Sequence, residues 1–220
     1  MPQLKIQSST EMISVGKMLC LGKNYEKHAR EMGGEVPPSP VVFLKPSTAW
    51  VGDGGTVLIP AISNDLHHEV ELVVVIGTTA RDVAPENAMN HVLGYAVGLD
   101  MTLRDVQSVA KKRGEPWAVA KGFDTSAPIG EIVPKELIPD PHNLTLKLTV
   151  NGQVHQHGST ADMILQIPQI ISYLSAIYTL EPGDCIFTGT PEGVSQVHPG
   201  DTLVAEIEGV ATLSVGVGRR

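Results

Sequence analysis

Residues 67–77 read HHEVELVVVIG, and the rest of the chain is arranged around this stretch. The apolar run within it is short and rich in β-branched valine, which predicts a buried strand rather than a helix. Side chains two positions apart in a strand share a face, so Glu69 and Glu71 are expected to point the same way, with Val73 and Val75 beyond them. Two such carboxylates need a cation, a proton or water. Two interpretations remain open at this point. The acids form a metal site, or they lie at an exposed strand end and guard it against edge-to-edge pairing.

A third acid follows a second apolar stretch. Residues 92–99 read VLGYAVGL, which predicts another buried strand, and Asp100 comes directly after it. If the two strands lie close together, Asp100 can approach Glu69 and Glu71. Three carboxylates without a thiolate or imidazole are hard oxygen ligands, which suit Mg²⁺ or Mn²⁺ better than Zn²⁺.

Length, charge and cysteine usage restrict the class of protein. The 220 residues fit one domain, and 22 glycines and 16 prolines indicate many turns between short strands. A net charge of −8 argues against nucleic-acid or anionic-membrane partners. The first residues contain no apolar h-region, so we expect no signal peptide. Cys20 and Cys185 lie in apolar surroundings and are expected to be buried thiols, which favours a cytoplasmic location.

The local patterns predict an α+β chain that is mostly β. A helix is expected over 26–32, stopped by Gly33-Gly34, and residues about 22–40 read as a lid-like segment. A second helix is expected over 104–112 with Thr102 as its cap, and a third over 162–178 with a break near Pro168. The pair Asn151-Gly152 predicts a tight hairpin.

Histidines offer weaker signals. His28 and Glu31 are three residues apart on the first predicted helix, so the glutamate can orient the imidazole as a general base. A solvated surface pair is the simpler reading of these two residues alone. His155 and His157 share a strand face but lack further ligands, so we expect an exposed hairpin there. His67 and His68 flank the acids, and one of them is a candidate support for the metal ligands.

Several polar residues elsewhere are candidates for substrate binding. Lys121 follows a Gly/Pro-rich loop and can balance the acids or bind a substrate oxygen. Arg104 and Gln107 share a helix face, and Arg104 can bind a carboxylate with two hydrogen bonds. The turn-rich stretch 188–193, which includes Thr190, can hold a carboxylate through its N–H groups. Taken singly, each has an ordinary explanation. Lys121 fits a surface lysine, Arg104 fits a solubilising residue on a helix surface, and the stretch 188–193 fits an ordinary tight turn.

Taken together, these residues resemble one known family. The motifs that carry the resemblance are Gly22-x-Asn24-Tyr25-x-x-His28-x-x-Glu31, Phe43-x-Lys45-Pro46, His67-His68-Glu69-x-Glu71-Leu72, Asp100-x-Thr102-x-Arg104-Asp105-x-Gln107, Pro116-Trp117-x-x-Ala120-Lys121 and Thr188-Gly189-Thr190-Pro191-x-Gly193-Val194. In this order and spacing the chain resembles the fumarylacetoacetate hydrolase family, and within it the short acylpyruvase and oxaloacetate decarboxylase branch. The resemblance covers nearly the whole chain from about Val15 onward.

The resemblance implies a fold, a metal and a set of roles. The implied fold is a mixed β-roll of the family's C-terminal-domain type, with a few short helices, in a single catalytic domain over residues 1–220 that usually forms a homodimer. The implied cofactor is Mg²⁺ or Mn²⁺. The implied roles are metal ligation by Glu69, Glu71 and Asp100, and base catalysis by the dyad of His28 and Glu31. Lys121 is implied as a further catalytic residue that lines the substrate and oxyanion positions, and Arg104, Gln107 and Thr190 are implied to bind the substrate.

The expected activity is metal-dependent chemistry on a small 2-oxo acid through a metal-bound enolate. Acylpyruvate or fumarylpyruvate hydrolysis, oxaloacetate decarboxylation and keto–enol tautomerisation all fit one such site, and the fold alone does not choose among them. An alternative is an isomerase or decarboxylase of 2-hydroxyhepta-2,4-diene-1,7-dioate-type diacids in aromatic catabolism. A non-enzymatic alternative is a β-rich binding module with an incidental acidic cluster.

Overall fold

A computed structural model describes residues 2–31, 33 and 36–220. The strands are β1 (Gln3–Lys5), β2 (Met12–Ser14), β3 (Met18–Gly22), β4 (Val41–Lys45), β5 (Trp50–Val51), β6 (Thr56–Ile59), β7 (Leu66–His67), β8 (Val70–Ile76), β9 (Val92–Leu99), β10 (Thr102–Leu103), β11 (Ala127–Pro128), β12 (Val133–Pro134), β13 (Thr145–Val150), β14 (Gln153–Ser159), β15 (Cys185–Phe187), β16 (Gln196–Val197), β17 (Thr202–Ile207) and β18 (Ala211–Arg219). The helices are α1 (Glu26–Glu31), α2 (Pro85–Ala88), α3 (Arg104–Arg113), α4 (Ala118–Lys121) and α5 (Ile167–Ser175).

Two larger sheets form the body of the protein. A six-stranded sheet has the order β12-β9-β8-β15-β3-β4, and a five-stranded sheet has the order β14-β13-β17-β18-β6. A three-stranded sheet, β10-β7-β16, and two strand pairs complete the architecture. Strands dominate over short helices, as the sequence predicts.

Strand β8 is buried over its whole length, which explains its nearly continuous apolar sequence. Leu72 and Val74 belong to the main core, together with Leu146 of the five-stranded sheet. Val73 and Val75 belong to a second apolar cluster on the other side of β8. Because side chains alternate, the Glu71 carboxylate lies on the side of Val73 and Val75, as expected, and is buried rather than at an exposed strand end.

The pairing of β8 with β9 brings the acids together. The two strands are antiparallel, with Val70 opposite Leu99 and Glu71 opposite Gly98. Directly beyond the last pair, the N–H of Asp100 donates to the main-chain oxygen of Glu69 at 2.8 Å. Residues opposite each other in such a pair share a face, so the register places all three carboxylates on one side of the sheet.

Gly98 opposite Glu71 is required by close packing. A Cβ at this position would lie 2.4 Å from Val73 Cγ2 and 2.9 Å from Phe187 Cε1. We therefore expect Gly98→Ala to destabilise the protein by about 1–3 kcal/mol through overpacking, measured by urea denaturation. Gly130→Ala is the matched control, because Gly130 is also buried but its nearest atom to an added Cβ is 3.8 Å away. Equal stability of the two variants would contradict this packing argument.

The hairpin and the first helix agree with the sequence-based predictions. Asn151 and Gly152 both have positive φ, at 51° and 81°, and join β13 to β14 as a two-residue turn. Gly33, at φ 72°, donates its N–H to the main-chain oxygen of Arg30 and so closes the end of α1. Gly34, the other half of that predicted stop, lies outside the described residues.

Two local predictions were wrong, and a third was right only in part. Thr102 does not cap α3, because it lies in β10 and its hydroxyl donates to Glu69 Oε1 at 3.2 Å. Pro168 does not break a helix over 162–178, because α5 begins only at Ile167. Pro168 therefore lies in the first turn of α5, where no backbone N–H is needed for a hydrogen bond within the helix. The hairpin at 155–157 is not simply exposed, since Gln156 is fully buried.

Both cysteines are buried and free, as expected. Among the residues described, no helix is long and apolar enough to cross a membrane.

Candidate active site

Three carboxylates meet in one pocket. One ligand-type oxygen from each of Glu69, Glu71 and Asp100 lies within 4.8 Å of the others, and all three residues are at most 5% exposed. Glu69 and Glu71 flank the start of β8, while Asp100 follows β9, so the register described above creates the cluster. Three acids packed this closely and out of water form an unfavourable arrangement unless cations surround them.

The neighbours of Glu69 and Glu71 shift the pKa values of these two acids in opposite directions. Burial and the charges of Asp100 and Glu69 raise the pKa of Glu71 well above its usual range. Burial also opposes ionisation of Glu69, but the charges of Lys121 and Arg104 outweigh it and hold the pKa of Glu69 well below its usual range. Glu71 is therefore the acid whose negative charge is least compensated by the protein itself.

Two cations already contact the acids. Lys121 Nζ donates to Glu69 Oε2 at 2.8 Å and to Asp100 Oδ2 at 2.6 Å. Arg104 donates to Glu69 Oε1 at 2.6 Å and to Gln107 Oε1 at 2.8 Å. Two Arg104 donors are thus occupied by protein groups, and its buried Nε has no hydrogen-bond partner among the described residues. With its Oε1 occupied, Gln107 has its amide N–H group left for a ligand.

A third cation lies behind Asp100. Lys45 at the end of β4 is almost completely buried, and its Nζ lies 2.8 Å from Asp100 Oδ1. The same ammonium donates to the main-chain oxygens of Met101 at 3.1 Å and Ser126 at 2.9 Å, and also to that of Lys121. Lys45 therefore ties the carboxylate of Asp100 to the turn that carries Lys121.

The loop after β15 packs along β8. The N–H of Gly189 donates to Glu71 Oε2 at 2.7 Å, and Gly189 has a φ of 97° that favours glycine. The hydroxyl of Thr190 donates to the main-chain oxygen of Val70 at 2.8 Å and accepts from Gln156 Nε2 at 2.8 Å. Because its only proton is used by Val70, the Thr190 hydroxyl can offer a ligand no hydrogen-bond donor in this arrangement.

A buried network supports that loop. The side-chain oxygen of Gln156 accepts from the N–H of Val70 at 3.0 Å and lies 2.9 Å from His68 Nδ1. Burial lowers the pKa of His68 to about 4, so the ring is neutral near pH 7. Through Gln156, His68 is linked to the main chain of Val70, which lies between Glu69 and Glu71, and His67 pairs with Asp65 at 2.9 Å. The predicted histidine support for the acids is therefore indirect.

The predicted dyad forms and reaches the pocket. His28 Nδ1 lies 3.2 Å from Glu31 Oε2, and His28 is only 6% exposed. Since a carboxylate only accepts, the dyad favours a proton on Nδ1 and leaves Nε2 able to take up another. Glu31 also accepts the N–H of Gly193 at 3.0 Å, and Lys27 lies 3.5 Å from Glu192. These two contacts hold α1 against the loop after β15.

Eight of the nine residues selected from the sequence line one pocket. The ninth, Glu31, contacts one of these eight, His28, directly. Their roles remain predictions. Sequence reasoning gave no role to several residues that the structure brings to the site: Lys23, Phe43, Lys45, Lys111, Trp117 and Gln156. The signal that could have pointed to Lys45 is its place in the motif Phe43-x-Lys45-Pro46, which carries part of the family resemblance.

The donor set fits a divalent cation. Three buried carboxylate oxygens at this separation are the ligands that Mg²⁺ and Mn²⁺ prefer, and three protein ligands leave about half of an octahedral shell for substrate and water. A dication would also supply the charge compensation that Glu71 lacks.

The chain is similar to proteins of known name along nearly its whole length. The family model described as fumarylacetoacetate (FAA) hydrolase C-terminal matches residues 17–218. The mitochondrial oxaloacetate tautomerase FAHD1 of Bos taurus is 53% identical over 202 residues, covering 92% of this chain and 91% of that protein.

Solved structures agree with this match and confirm the expected fold. Fumarylpyruvate hydrolase from Pseudomonas aeruginosa, in complex with Mn²⁺ and pyruvate, is 39% identical with a TM-score of 0.94, covering 100% of this chain and 96% of that one. The 2-hydroxyhepta-2,4-diene-1,7-dioate isomerase from Mycobacterium marinum is 41% identical with a TM-score of 0.84, covering 94% and 76% respectively. On the family match and these likenesses, the chain belongs to the fumarylacetoacetate hydrolase family.

Proposed function

We propose that the protein is a divalent-metal-dependent enzyme that acts on small 2-oxo acids. The reactions are keto–enol tautomerisation and C–C bond cleavage, the latter by acylpyruvate-type hydrolysis or decarboxylation of oxaloacetate. The observation that carries the proposal is the convergence of three buried carboxylates in one pocket with Lys121, Arg104 and His28. The names of the similar tautomerase and hydrolase support the same chemistry.

We propose Glu69, Glu71 and Asp100 as the metal ligands and Mg²⁺ or Mn²⁺ as the ion. When bound, the ion supplies Lewis-acid polarisation of the 2-keto oxygen. The Mn²⁺ in the similar fumarylpyruvate hydrolase supports a divalent cation of this class.

The cations beside the acids have positioning roles in this proposal. The ammonium of Lys121 lies next to Glu69 and Asp100, so it also faces any substrate oxygen held there. That ammonium stabilises the negative charge that develops on the keto oxygen when a neighbouring bond breaks. The unpartnered Nε of Arg104 and the free amide N–H of Gln107 provide further donors for substrate oxygens.

His28 is the proposed base. In tautomerisation, Nε2 accepts a proton from the carbon beside the keto group and returns it to the keto oxygen, which gives the enol. In hydrolysis, the same nitrogen deprotonates water, and the resulting hydroxide attacks the distal carbonyl of the acylpyruvate. The bond between that carbonyl carbon and the methylene then breaks, so the acyl group leaves as a carboxylic acid and pyruvate leaves as its enolate, which takes up the proton at carbon. Glu31 orients the ring in both reactions and stabilises the imidazolium, since it lies 3.2 Å from Nδ1.

We propose one catalytic domain over residues 1–220, with residues about 22–40 as its lid. The contacts of Glu31 with Gly193 and of Lys27 with Glu192 support a closed arrangement. The pocket beside these contacts has a volume of about 30 Å³. In this proposal the lid opens to admit a 2-oxo acid and closes over it.

The names of the similar tautomerase and fumarylpyruvate hydrolase make 2-oxo acid tautomerisation and cleavage the first candidate. The similarity to the isomerase from Mycobacterium marinum keeps the seven-carbon diacid alternative as the second candidate. Because the relatives are named as enzymes, we do not retain the binding-module alternative.

Oxalate is expected to inhibit competitively. It presents two oxygens in the geometry of an enolised 2-oxo acid but has no bond to cleave, so it mimics the charge distribution of the reaction. The test follows loss of enol absorbance and release of pyruvate over a panel of 2-oxo acids with Mg²⁺, Mn²⁺ or a chelator. Activity that survives complete chelation, or saturating oxalate without effect, would contradict the proposal.

We also propose a homodimer. Strand β4 forms an edge of the six-stranded sheet, and its apolar side chains are partly exposed, with Leu44 at 40%. A half-exposed apolar edge strand is a surface that a second copy can cover. Light scattering after gel filtration should give twice the mass of 23.4 kDa.

We propose a cytoplasmic location, which the free buried thiols of Cys20 and Cys185 support. The similar tautomerase of Bos taurus is named as mitochondrial. Subcellular fractionation with an antibody to this chain would decide between the two compartments.

A further inference from the structure

One fully buried glutamine lies beside the start of β8 and has no part in the chemistry above. Gln156 belongs to β14, where the other side chains are exposed or partly exposed, yet its own exposed fraction is 0%. It pairs with Leu148 of β13, a residue of the main core, so an apolar side chain is expected at this position. A buried amide is costly unless its hydrogen-bonding capacity is used, so its partners decide its role.

A β-bulge interrupts β14 directly beside Gln156, where the loop after β15 packs against the strand. The pairing with β13 skips His155, which is therefore an extra residue in β14. A Cβ on Gly193 of the loop would lie 2.2 Å from the main-chain oxygen of His155. A Cβ on Gly158 would lie 2.6 Å from Pro191 Cβ. The two glycines thus allow the loop and β14 to approach closely at the bulge.

Val70, which lies between Glu69 and Glu71, takes its main-chain hydrogen bonds from this region. Strand β15 ends before it reaches Val70, so the N–H and the oxygen of Val70 need other partners. Oε1 of Gln156 accepts the N–H of Val70 at 3.0 Å. The hydroxyl of Thr190 donates to the main-chain oxygen of Val70 at 2.8 Å. The two side chains therefore replace the missing strand at the position between the two acids.

The same amide also holds the loop. Nε2 of Gln156 donates to the Thr190 hydroxyl at 2.8 Å and to the main-chain oxygen of Pro191 at 2.9 Å. Because the N–H of Val70 can only donate and the oxygen of Pro191 can only accept, these two groups fix the orientation of the amide. Oε1 also lies 2.9 Å from His68 Nδ1, so each end of the amide has two partners.

The loop held in this way contacts both parts of the candidate site. The N–H of Gly189 donates to Glu71 Oε2 at 2.7 Å, and the N–H of Gly193 donates to Glu31 Oε1 at 3.0 Å. The two loop residues that Gln156 contacts lie between these glycines in the chain. A shift of the loop would therefore displace the partner of a proposed metal ligand and the partner of the proposed dyad together.

We infer that Gln156 is a positioning residue for the proposed reaction. Its amide holds the loop after β15 against the start of β8, so that the N–H of Gly189 meets Glu71 and the Thr190 hydroxyl keeps one orientation. This inference rests on the proposed function, since it takes Glu71 as a metal ligand. Gln156 itself does not line the pocket and acts through the loop.

Gln156→Met is the test variant, because methionine keeps the length of the side chain and removes the amide with its four contacts. Each protein is saturated with Mn²⁺, and kcat and KM for oxaloacetate are measured at a temperature where the protein is fully folded. We expect kcat to fall by about 10–100-fold, the usual effect of removing a partner that orients a metal ligand. KM should change much less, because the groups proposed to bind the substrate remain.

A double-mutant cycle tests whether Gln156 acts through the loop. Thr190→Val removes the hydroxyl that Gln156 contacts and keeps the size of the side chain. If both side chains fix one loop position, the combined variant should lose no more kcat than the larger of the two single losses. A merely structural role for Gln156 would lower the unfolding temperature without this coupling in kcat.

Two controls accompany these variants. Gln153→Met changes an exposed glutamine of the same strand and should alter neither kcat nor the unfolding temperature. Leu203→Ala truncates a buried core residue of β17, so it should lower the unfolding temperature and leave kcat of the folded protein unchanged. Gln156→Asn, whose amide is one methylene shorter, is the second test variant if Gln156→Met does not fold.

Four results would overturn the inference. They are an unchanged kcat in folded Gln156→Met, an equal fall of kcat in Leu203→Ala, additive losses in the cycle, and failure of both Gln156 variants to fold, which would make the network purely structural. If the unmodified protein shows no metal-dependent activity on any 2-oxo acid, the proposed function itself fails, and this inference falls with it. An active unmodified protein with any of the four results removes only the inference.

Discussion

Glu71→Gln is expected to abolish metal-dependent activity, with a loss of at least about 10³-fold. A metal that polarises a carbonyl contributes several kcal/mol of transition-state stabilisation, and each ~1.4 kcal/mol corresponds to a factor of ten. Glutamine keeps the shape of the side chain and an oxygen that can accept the N–H of Gly189. The change therefore removes the charge with little effect on packing. The measurement is the initial rate of enol loss with oxaloacetate and Mg²⁺.

The same substitution should stabilise the metal-free protein. The folded-state pKa of Glu71 is raised above its usual value of 4.5, so folding favours the protonated form. Its contribution to stability is complete at low pH and is lost as the pH rises through the folded-state pKa. With a chelator present, the unfolding temperature of the unmodified protein should fall over this pH range, and it should fall more than the unfolding temperature of Glu71→Gln. Added Mg²⁺ should then raise the unfolding temperature of the unmodified protein only.

Glu206→Gln is the control for these two measurements. Glu206 is an exposed glutamate of β17 that lies 3.6 Å from a partly exposed lysine, so its loss should change neither activity nor metal response. Metal-dependent activity that persists in Glu71→Gln would remove Glu71 from the proposed ligand set.

His28→Ala is expected to reduce acylpyruvate hydrolysis by about 10²–10⁴-fold, the usual contribution of a general base. Hydrolysis needs a base to deprotonate water, and Nε2 of His28 is the nitrogen that the contact with Glu31 leaves available. Decarboxylation needs no attacking water, so it should lose less activity. Glu31→Gln should likewise lose more hydrolysis than decarboxylation. The measurement compares pyruvate release from acetylpyruvate and from oxaloacetate in one enzyme preparation.

Lid closure has to be measured separately in these variants, because Glu31 also accepts the N–H of Gly193. Arg30→Ala is the matched control, since Arg30 lies on the same helix but is exposed and, among the residues the structure describes, its side chain pairs with Glu26. Limited proteolysis near Gly33 with and without oxalate reports whether the lid still closes. Equal loss of both reactions in a variant that closes normally would show that the dyad is not simply the hydrolytic base.

Local sequence patterns correctly gave the elements that carry the acids. The β-branched run after Glu71 formed β8, and the second apolar stretch formed β9 with Asp100 directly behind it. The shared face of Glu69 and Glu71 followed from the two-residue period of a strand. Where local chemistry was ambiguous, the prediction failed, as with Thr102, whose hydroxyl contacts Glu69 instead of capping a helix.

The sequence by itself therefore determined the parts of the candidate site: a mostly β chain with three carboxylates, whose oxygens are hard donors, and a histidine–glutamate pair. Only the tertiary structure decided that Asp100 lies opposite Glu69, because strand register depends on the packing of both faces of the sheet. It also showed that Lys45 and Lys121 both contact Asp100. Such contacts join residues far apart in the chain, and no local period or turn signal encodes which of many lysines will meet a given carboxylate.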